Sequence, residues 1–232
     1  KVSIIVPAFN EERLLGQTLA QINLARKSFS AQGWESQLIV CDNNSTDRTA
    51  EIAKENGALV VFEPVNQIGR ARNRGASVAA GDWLLFIDAD SQPTPELFAD
   101  VVAAIETGKY VAGGSTLRLE GGHQLAKLIT GLWNLASRLR RLLAGSFIFC
   151  EAAAFRKIGG FSSEFFTGEE LDLGKRLAVL AAALAIQHSM RDPPAPPAPP
   201  PPAVAAPAPP AAPAPVQITE GMNSKGIALP NR

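Results

Sequence analysis

The sequence has little of what marks several common protein classes. Its 22 basic and 22 acidic residues balance, so it lacks the positive surplus of proteins that coat nucleic acid. No apolar run approaches the ~18–20 residues of a membrane span. Only two cysteines occur, Cys41 and Cys150, which excludes a disulfide scaffold and favours a reducing compartment. We therefore expect a cytoplasmic protein with no nucleic-acid partner.

Proline is common but concentrated in one place. Thirteen of the 18 prolines lie in residues 193–215, where the other residues are nine Ala and Val204. Such a stretch cannot bury enough surface to offset its ordering entropy, so it should be extended and disordered. The sequence predicts one folded domain over residues 1–192 and a low-complexity tail over residues 193–232.

Strand and helix patterns alternate four times in the first half of the chain. Short apolar runs end near Val6, Cys41, Phe62 and Ile87, and a helical pattern follows each one. This alternation predicts a doubly wound, mostly parallel α/β sheet. Ligands of such sheets bind beyond the carboxyl ends of the strands, where this sequence carries acidic and amide groups. Neither a GxGxxG nor a Walker-type glycine loop is present, which argues against dinucleotide-binding and P-loop proteins.

Three residues are predicted to cap helices. Asn10 would cap the first helix, with acidic residues in its first turn. Asp47 would cap a helix that begins at Arg48, and Thr94 would cap a helix with Pro95 in its first position.

Two carboxylates follow the fourth strand. Asp88 and Asp90 are two residues apart, so in an extended strand end they point the same way. Hard oxygen ligands of this kind suit Mg²⁺ or Mn²⁺, which proteins often hold with one or two carboxylates plus substrate phosphates. The alternative is a polar strand end in which Asp90 caps a turn.

Several short segments lie in a fixed order along the chain. They are 1–11, 39–49, 71–75 with 80–82, 88–90, 145–147, 154–161, 169–173 and 176–177. In this order they resemble the motifs of family 2 glycosyltransferases, which have the GT-A fold. Taken singly each is a weak signal, but their shared order from Lys1 to about Leu177 is specific. The resemblance implies a nucleotide-sugar-binding half over residues 1–92 and an acceptor half over residues 93–192.

The same resemblance implies a metal-dependent, inverting transfer of a sugar from a nucleotide-diphosphate sugar, with a UDP-sugar favoured. Asp42 would read the base, and Arg72 would lie near the base or the diphosphate. Asp88 would hold the ribose or a water near the metal, and Asp90, with Asp88 beside it, would bind Mg²⁺ or Mn²⁺. The residues assigned to the donor are Pro7, Phe9, Glu11, Asp42, Asn44, Arg72 and Asp88.

An acidic cluster supplies the candidates for the catalytic base, which must take the proton of the attacking hydroxyl. The family usually has a Glu-Asp pair here, whereas this chain has Glu169 and Glu170. Glutamate is ionised at pH 7 and can serve, so Glu170 is the favoured base and Glu169 and Asp172 remain open. The alternative is that these acids only favour the start of a helix.

Residues 123–143 read as a basic amphipathic helix. It could rest peripherally on the inner, anionic face of a membrane and present a lipid-linked acceptor. The favoured alternative is a helix packed on the sheet with solvated arginines. Arg70 and Arg74 share one helix face and are also expected to be solvated.

Two other functions remain open. One is a non-catalytic nucleotide-sugar-binding or interaction module of the same fold, and the Pro/Ala tract soon after Asp172 mildly favours it. The other is a nucleotidyltransferase, although residues 7–11 do not form the Gly-rich, basic opening loop that such enzymes usually carry. The expected acceptor is a sugar, a lipid-linked group or a small molecule.

Overall fold

The computed structural model describes residues 1–115, 146–164, 168–191 and 225–228. Within them, seven strands form one sheet in the order β3-β2-β1-β4-β6-β5-β7. The strands are β1 Val2–Ala8, β2 Ser36–Asp42, β3 Leu59–Phe62, β4 Trp83–Ile87, β5 Tyr110–Gly114, β6 Phe147–Glu151 and β7 Lys225–Ala228. The helices are α1 Leu15–Ala25, α2 Lys27–Ala31, α3 Thr49–Glu55, α4 Ile68–Ser77, α5 Pro95–Glu106, α6 Ala152–Lys157 and α7 Glu169–Arg191.

The first four strands of the sheet are parallel, as the alternating pattern predicts. β1 pairs in parallel with β2 and β4, and β2 pairs in parallel with β3. β6 then runs antiparallel to both β4 and β5. The predicted doubly wound, mostly parallel sheet is therefore confirmed.

Helices cover both faces of the sheet, which explains why its strands are continuous apolar runs. Val2, Ile4 and Val6 of β1 pack with α1, α2 and α5 on one face. Ile5, which points to the other face, packs with residues of α4, α6 and α7. Cys41 and Cys150 are free and fully buried in the sheet.

One of the three predicted helix caps is confirmed. Thr94 Oγ1 accepts a hydrogen bond from Leu97 N at 3.3 Å, with Pro95 opening α5. Asp47 is not the cap of α3, because this helix begins at Thr49 with Arg48 in the cap position; Asp47 Oδ1 still accepts a hydrogen bond from Thr49 N at 3.0 Å, one residue before the cap. The prediction for Asn10 is wrong, because α1 begins only at Leu15.

The last strand was not predicted from the sequence. Lys225–Ala228 lies antiparallel to β5 at the edge of the sheet. Main-chain hydrogen bonds can hold such a strand, so its side chains need carry little hydrophobic pattern. The Pro/Ala tract itself and residues 123–143 lie outside the described residues.

Candidate active site

The loops that follow the parallel strands meet at one edge of the sheet. Ala8 of β1 lies opposite Asp42 of β2, and Asp42 lies opposite Phe62 of β3. Two further main-chain hydrogen bonds extend this alignment into the loops, from Asn43 N to Ala8 O at 2.8 Å and from Glu63 N to Asp42 O at 2.9 Å. The register therefore brings together segments that are far apart in sequence.

A cleft of about 510 Å³ opens at this edge. Its lining includes five of the residues that the sequence assigned to the donor or the metal. They are Pro7, Phe9, Glu11, Asp88 and Asp90. The remaining lining residues, which the sequence reasoning did not assign to the donor or the metal, are Ala8, Asn43, Asn66, Gln67, Ile68 and Ala89.

One wall of the cleft is tied to the loop after β2. Asn10 adopts a left-handed backbone (φ 53°), which Asn tolerates better than most residues. Its side-chain Oδ1 accepts a hydrogen bond from Thr46 N at 2.8 Å, and its own N–H donates to Ser45 Oγ at 3.0 Å. Glu11 N donates to Thr49 Oγ1 at 2.8 Å. Asn10 therefore joins two loops and does not cap α1, which is the physical reason that the cap prediction failed.

Asn43 organises the opposite wall and was missed as a functional residue. Its Nδ2 donates to the carbonyls of Glu63 and Val65 at 3.2 and 2.6 Å, and its Oδ1 accepts from Gln67 N at 3.0 Å. These bonds shape the loop that leads into α4. The available signal was its position directly after Asp42 at a strand end, but its partners are 20 to 24 residues away.

Two predicted donor residues lie close to the cleft without lining it. Asp42 is 8 % exposed, and its Oδ1 accepts a hydrogen bond from Ser45 N at 3.0 Å. Asn44 is exposed, has a left-handed backbone (φ 66°), and donates from Nδ2 to Asn66 Oδ1 at 2.9 Å. Through Asn66, a lining residue, Asn44 is connected to the cleft.

The turn after β4 presents its two carboxylates differently. Thr18 of α1 holds this turn from behind, since its Oγ1 donates to Ala89 O at 2.7 Å in a buried position. Asp90 is exposed in the cleft and has no hydrogen-bond or ion-pair partner among the described residues. Asp88 is partly buried and bound to Arg72.

Arg72 lies at the centre of a cluster of carboxylates. Its side chain is almost fully buried, and its Nη2 donates to Asp88 Oδ1 at 2.8 Å. Its Nη1 donates to Glu169 Oε1 at 3.1 Å and to Glu170 Oε1 at 2.8 Å. The ring of Phe161 lies 5.1 Å from the guanidinium carbon, a distance typical of cation–π contact. This arginine joins the end of β4 to the start of α7.

The three candidate bases are distinguished by their surroundings. The side chain of Glu169 is 3 % exposed, whereas that of Glu170 is 20 % exposed. Asp172 points to its own helix, where Arg176 Nε donates to Asp172 Oδ2 at 2.7 Å and Arg176 Nη1 donates to Ile158 O at 2.8 Å. Asp172 therefore takes part in the contact between α6 and α7.

Burial raises the pKa of several carboxyl groups here. Desolvation is the main cause of the raised pKa of Asp88 and of Glu169, and Arg72 opposes it in both cases. The pKa of Glu11 is raised by burial first and then by the nearby charges of Asp90 and Asp47. Among the described residues, carboxylates thus crowd this edge beyond what the buried Arg72 neutralises.

The described part of the chain holds no cluster of three or more His, Cys, Asp or Glu side chains arranged to bind a metal. What it offers a cation is the exposed Asp90 carboxylate in the cleft, with Glu11 on the same lining. This donor set fits a divalent ion that takes its other ligands from phosphates and water. No helix within the same ranges is long and apolar enough to cross a membrane.

The three arginines of α4 differ in their exposure to solvent. Arg70 and Arg74 are exposed, as predicted for solvated side chains. Arg72 lies on the buried face of α4, together with Gly69, Ala71, Gly75 and Ala76. The spacing of Arg72 from these small residues in the sequence could have indicated that its side chain would be enclosed.

Comparison with solved structures defines the class of fold. The chain is similar to the mannosyltransferase PcManGT from Pyrobaculum calidifontis in complex with GDP-Man and Mn²⁺, with a TM-score of 0.64 and 20 % identity over 77 % of this chain and 52 % of that one. It is also similar to S. aureus TarS in complex with UDP-GlcNAc, with a TM-score of 0.59 and 23 % identity over 76 % of this chain and 53 % of that one. The fold is that of the GT-A glycosyltransferases.

Sequence comparison identifies the family. A family model, Glycosyl transferase family 2, matches residues 3–158. The chain belongs to this family. It is 35 % identical over 123 residues to a dolichol-phosphate mannosyltransferase of Pyrococcus furiosus. The matched residues make up 50 % of this chain and 33 % of that protein.

A second relative is matched over more of the chain. It is an undecaprenyl-phosphate 4-deoxy-4-formamido-L-arabinose transferase of Pseudomonas fluorescens, 31 % identical over 167 residues, or 67 % of this chain and 47 % of that protein. The chain thus spans between a third and a half of the length of these two curated relatives.

Proposed function

We propose that this chain is a metal-dependent, inverting glycosyltransferase that moves a sugar from a nucleotide-diphosphate sugar, preferably a UDP-sugar, to an acceptor hydroxyl. One observation carries the proposal. Asp90, an exposed carboxylate of the cleft, follows Asp88 by two residues, and Glu170, a partly exposed carboxylate of α7, shares Arg72 with Asp88. One group can serve the departing diphosphate, and the other can serve the attacking hydroxyl.

The donor half of the reaction needs positive charge near its phosphates. The departing nucleoside diphosphate gains negative charge as the sugar bond breaks, and Mg²⁺ or Mn²⁺ supplies the compensating charge when it is bound. Asp90 would hold this ion, with Asp88 nearby, while Pro7, Phe9 and Glu11 line the nucleotide pocket. Asp42 and Asn44 would act on the base from just outside the lining. The titles of two structural neighbours name Mn²⁺ together with a nucleotide sugar.

The acceptor half needs a base beside the attacking oxygen. A general base typically contributes about 10²–10⁴-fold to such a step. Glu169 is enclosed, and Asp172 pairs with Arg176 at the contact between α6 and α7. Glu170 is also paired, but with the arginine that binds Asp88 of the cleft, so it suits this role better than its neighbours. Inversion follows if the acceptor hydroxyl attacks the face of the sugar opposite to the diphosphate.

Binding of the donor can be tested with a thermal-shift panel of UDP, GDP, CDP and their sugars, with and without Mn²⁺. A ligand at 100 times its Kd stabilises the folded state by ~2.7 kcal/mol, which raises the midpoint by several degrees in a domain of this size. We expect a shift that requires metal and is largest for the uridine compounds. If no nucleoside diphosphate shifts the midpoint with metal present, the proposal fails. Metal-dependent shifts without any measurable turnover in the wild-type protein would favour a non-catalytic binding module, and unchanged turnover in Glu170→Gln would remove Glu170 as the base.

A phosphate acceptor is a second candidate, favoured by the printed names of the two relatives, which act on dolichol phosphate and undecaprenyl phosphate. A phosphate monoester has its second pKa near 6, so at pH 7 it is largely ionised and needs no base. Glu170→Gln should therefore lower transfer to a hydroxyl acceptor by about 100-fold or more and leave transfer to undecaprenyl phosphate within a few-fold. Initial rates with the two acceptors distinguish the candidates, because an equal loss with both would remove Glu170 as the base.

A further inference from the structure

We propose that Arg72 is a positioning residue that fixes Glu170 and Asp88 relative to each other, and that it does not bind the donor diphosphate. This inference rests on the proposed function, since it assigns Arg72 a role in the same transfer. The two terminal nitrogens of one guanidinium contact the two sides of the site. Nη2 is 2.8 Å from Asp88 Oδ1, and Nη1 is 2.8 Å from Glu170 Oε1.

Burial argues against direct contact between Arg72 and a phosphate. Arg72 is 1 % exposed and does not line the cleft. Both terminal nitrogens already donate to carboxylates, and the guanidinium carbon lies over the ring of Phe161. Nε has no hydrogen-bond partner among the described residues, but it is buried as well, so a phosphate could reach the guanidinium only if the side chains that enclose it moved.

Glu169 anchors the arrangement. It is 2 % exposed and shares Nη1 of Arg72 with Glu170. Because a buried carboxylate without a partner is costly, this contact holds the guanidinium in place. Glu170, the neighbouring and more exposed carboxylate, is then restrained in its orientation.

The shape of the guanidinium explains why an arginine is needed. Its planar fork presents donors in fixed directions, so one side chain can bind two carboxylates at a set separation. Lysine keeps the charge but has a single ammonium centre on a flexible stem. It cannot reproduce both contacts at once, so the separation between Asp88 and Glu170 would no longer be fixed.

Arg72→Lys tests this role in the full-length chain. Kinetics are measured as hydrolysis of UDP-glucose and GDP-mannose in Mn²⁺, with water as the hydroxyl acceptor, beside the donor Kd from calorimetry. Arg74→Lys is the matched control, because Arg74 is an exposed arginine of the same helix. We expect Arg72→Lys to lower kcat by roughly 100-fold, a loss that an ångström of misplacement can cause. The donor Kd and KM should stay within about threefold of wild type, and the control should match wild type.

A double variant keeps the test decisive if Arg72→Lys does not fold. Arg72→Met combined with Glu169→Leu replaces the fully buried pair with apolar side chains, an exchange that is often tolerated. It leaves Asp88 and Glu170 without their arginine, but both of these side chains are partly exposed to water. It should fold cooperatively and show the same loss of kcat with the donor Kd retained. A tenfold or larger rise in donor Kd, or an unchanged kcat, in whichever variant folds would overturn the positioning role. Failure of the wild-type protein to bind any nucleotide sugar would instead overturn the proposed function, and the role of Arg72 with it.

Discussion

At the scale of single residues, the carboxylates of this site differ mainly in what surrounds them. Asp90 is exposed in the cleft, Glu169 is enclosed beneath Arg72, and Glu170 lies between these extremes. Their surroundings therefore suit Asp90 to binding a cation, Glu169 to an internal ion pair and Glu170 to proton transfer. The sequence shows an acidic residue at each of these three positions, but it does not show how exposed each side chain is.

Asp90→Asn should remove most of the metal dependence of donor binding. The amide keeps the size of the side chain but loses the charge that attracts Mg²⁺ or Mn²⁺. We expect the affinity for UDP in Mn²⁺ to fall by roughly 10- to 100-fold, the range seen when groups that support a metal site are removed. Calorimetric titrations in Mn²⁺ and in EDTA measure this loss.

Asp100→Asn is the control for that substitution, because Asp100 lies on α5 and does not line the cleft. It should bind UDP as the wild-type protein does. If Asp90→Asn keeps the full difference between Mn²⁺ and EDTA, then Asp90 is not the metal ligand.

At the scale of secondary structure, the site depends on contacts between elements. Its residues come from the ends of β1, β2 and β4 and from the starts of α4 and α7. The ends of β2, β3 and β4 could be predicted, because each apolar run stops at an acidic residue. The run that ends at Val6 is followed by Pro7, and β1 continues to Ala8. The partners of Arg72 could not be predicted, because Glu169 and Glu170 are 97 and 98 residues away. Only the folded sheet, which brings α4 and α7 to the same face, places them in contact.

The position of the Asp88–Asp90 turn should depend on Thr18 of α1. Thr18→Val keeps the shape of the side chain but leaves the buried carbonyl of Ala89 without its 2.7 Å hydrogen bond. The loss should cost about 1–3 kcal/mol in the free energy of unfolding, and metal-dependent affinity for UDP should weaken because the turn is less well held. Chemical denaturation and calorimetry measure the two effects.

Thr18→Ser provides the matched control, since it keeps the hydroxyl and removes only a methyl group. It should retain UDP affinity close to that of wild type. Equal affinities in the Val and Ser variants would show that this hydrogen bond does not support the turn.

At the scale of the whole molecule, the two core clusters are built within residues 2–181. The predicted folding unit, residues 1–192, contains both of them. β7 adds four residues at the edge of the sheet, where it pairs with β5 alone. The sequence could predict the parallel half of the sheet from its alternation, but β7 has no such signal because it joins from a distant segment.

A chain that ends at residue 192 should therefore still fold cooperatively. Removing a short edge strand should lower the thermal midpoint by a few degrees, on the scale of ~2–4 °C per kcal/mol for a domain of this size. Circular dichroism melting curves of the full and shortened chains provide the measurement. Loss of a cooperative transition in the shortened chain would show that the segment after residue 192 is part of the folding unit.

The family assignment and the geometry together make nucleotide-sugar binding at the sheet edge the central claim. The most direct test is a crystal structure of the protein grown with UDP and Mn²⁺, with anomalous scattering used to locate the metal. We predict UDP in the cleft lined by Pro7, Phe9 and Glu11, with a manganese peak at coordination distance from Asp90 and from the diphosphate. A cleft without nucleotide at saturating UDP, or manganese bound away from Asp90, would contradict this account.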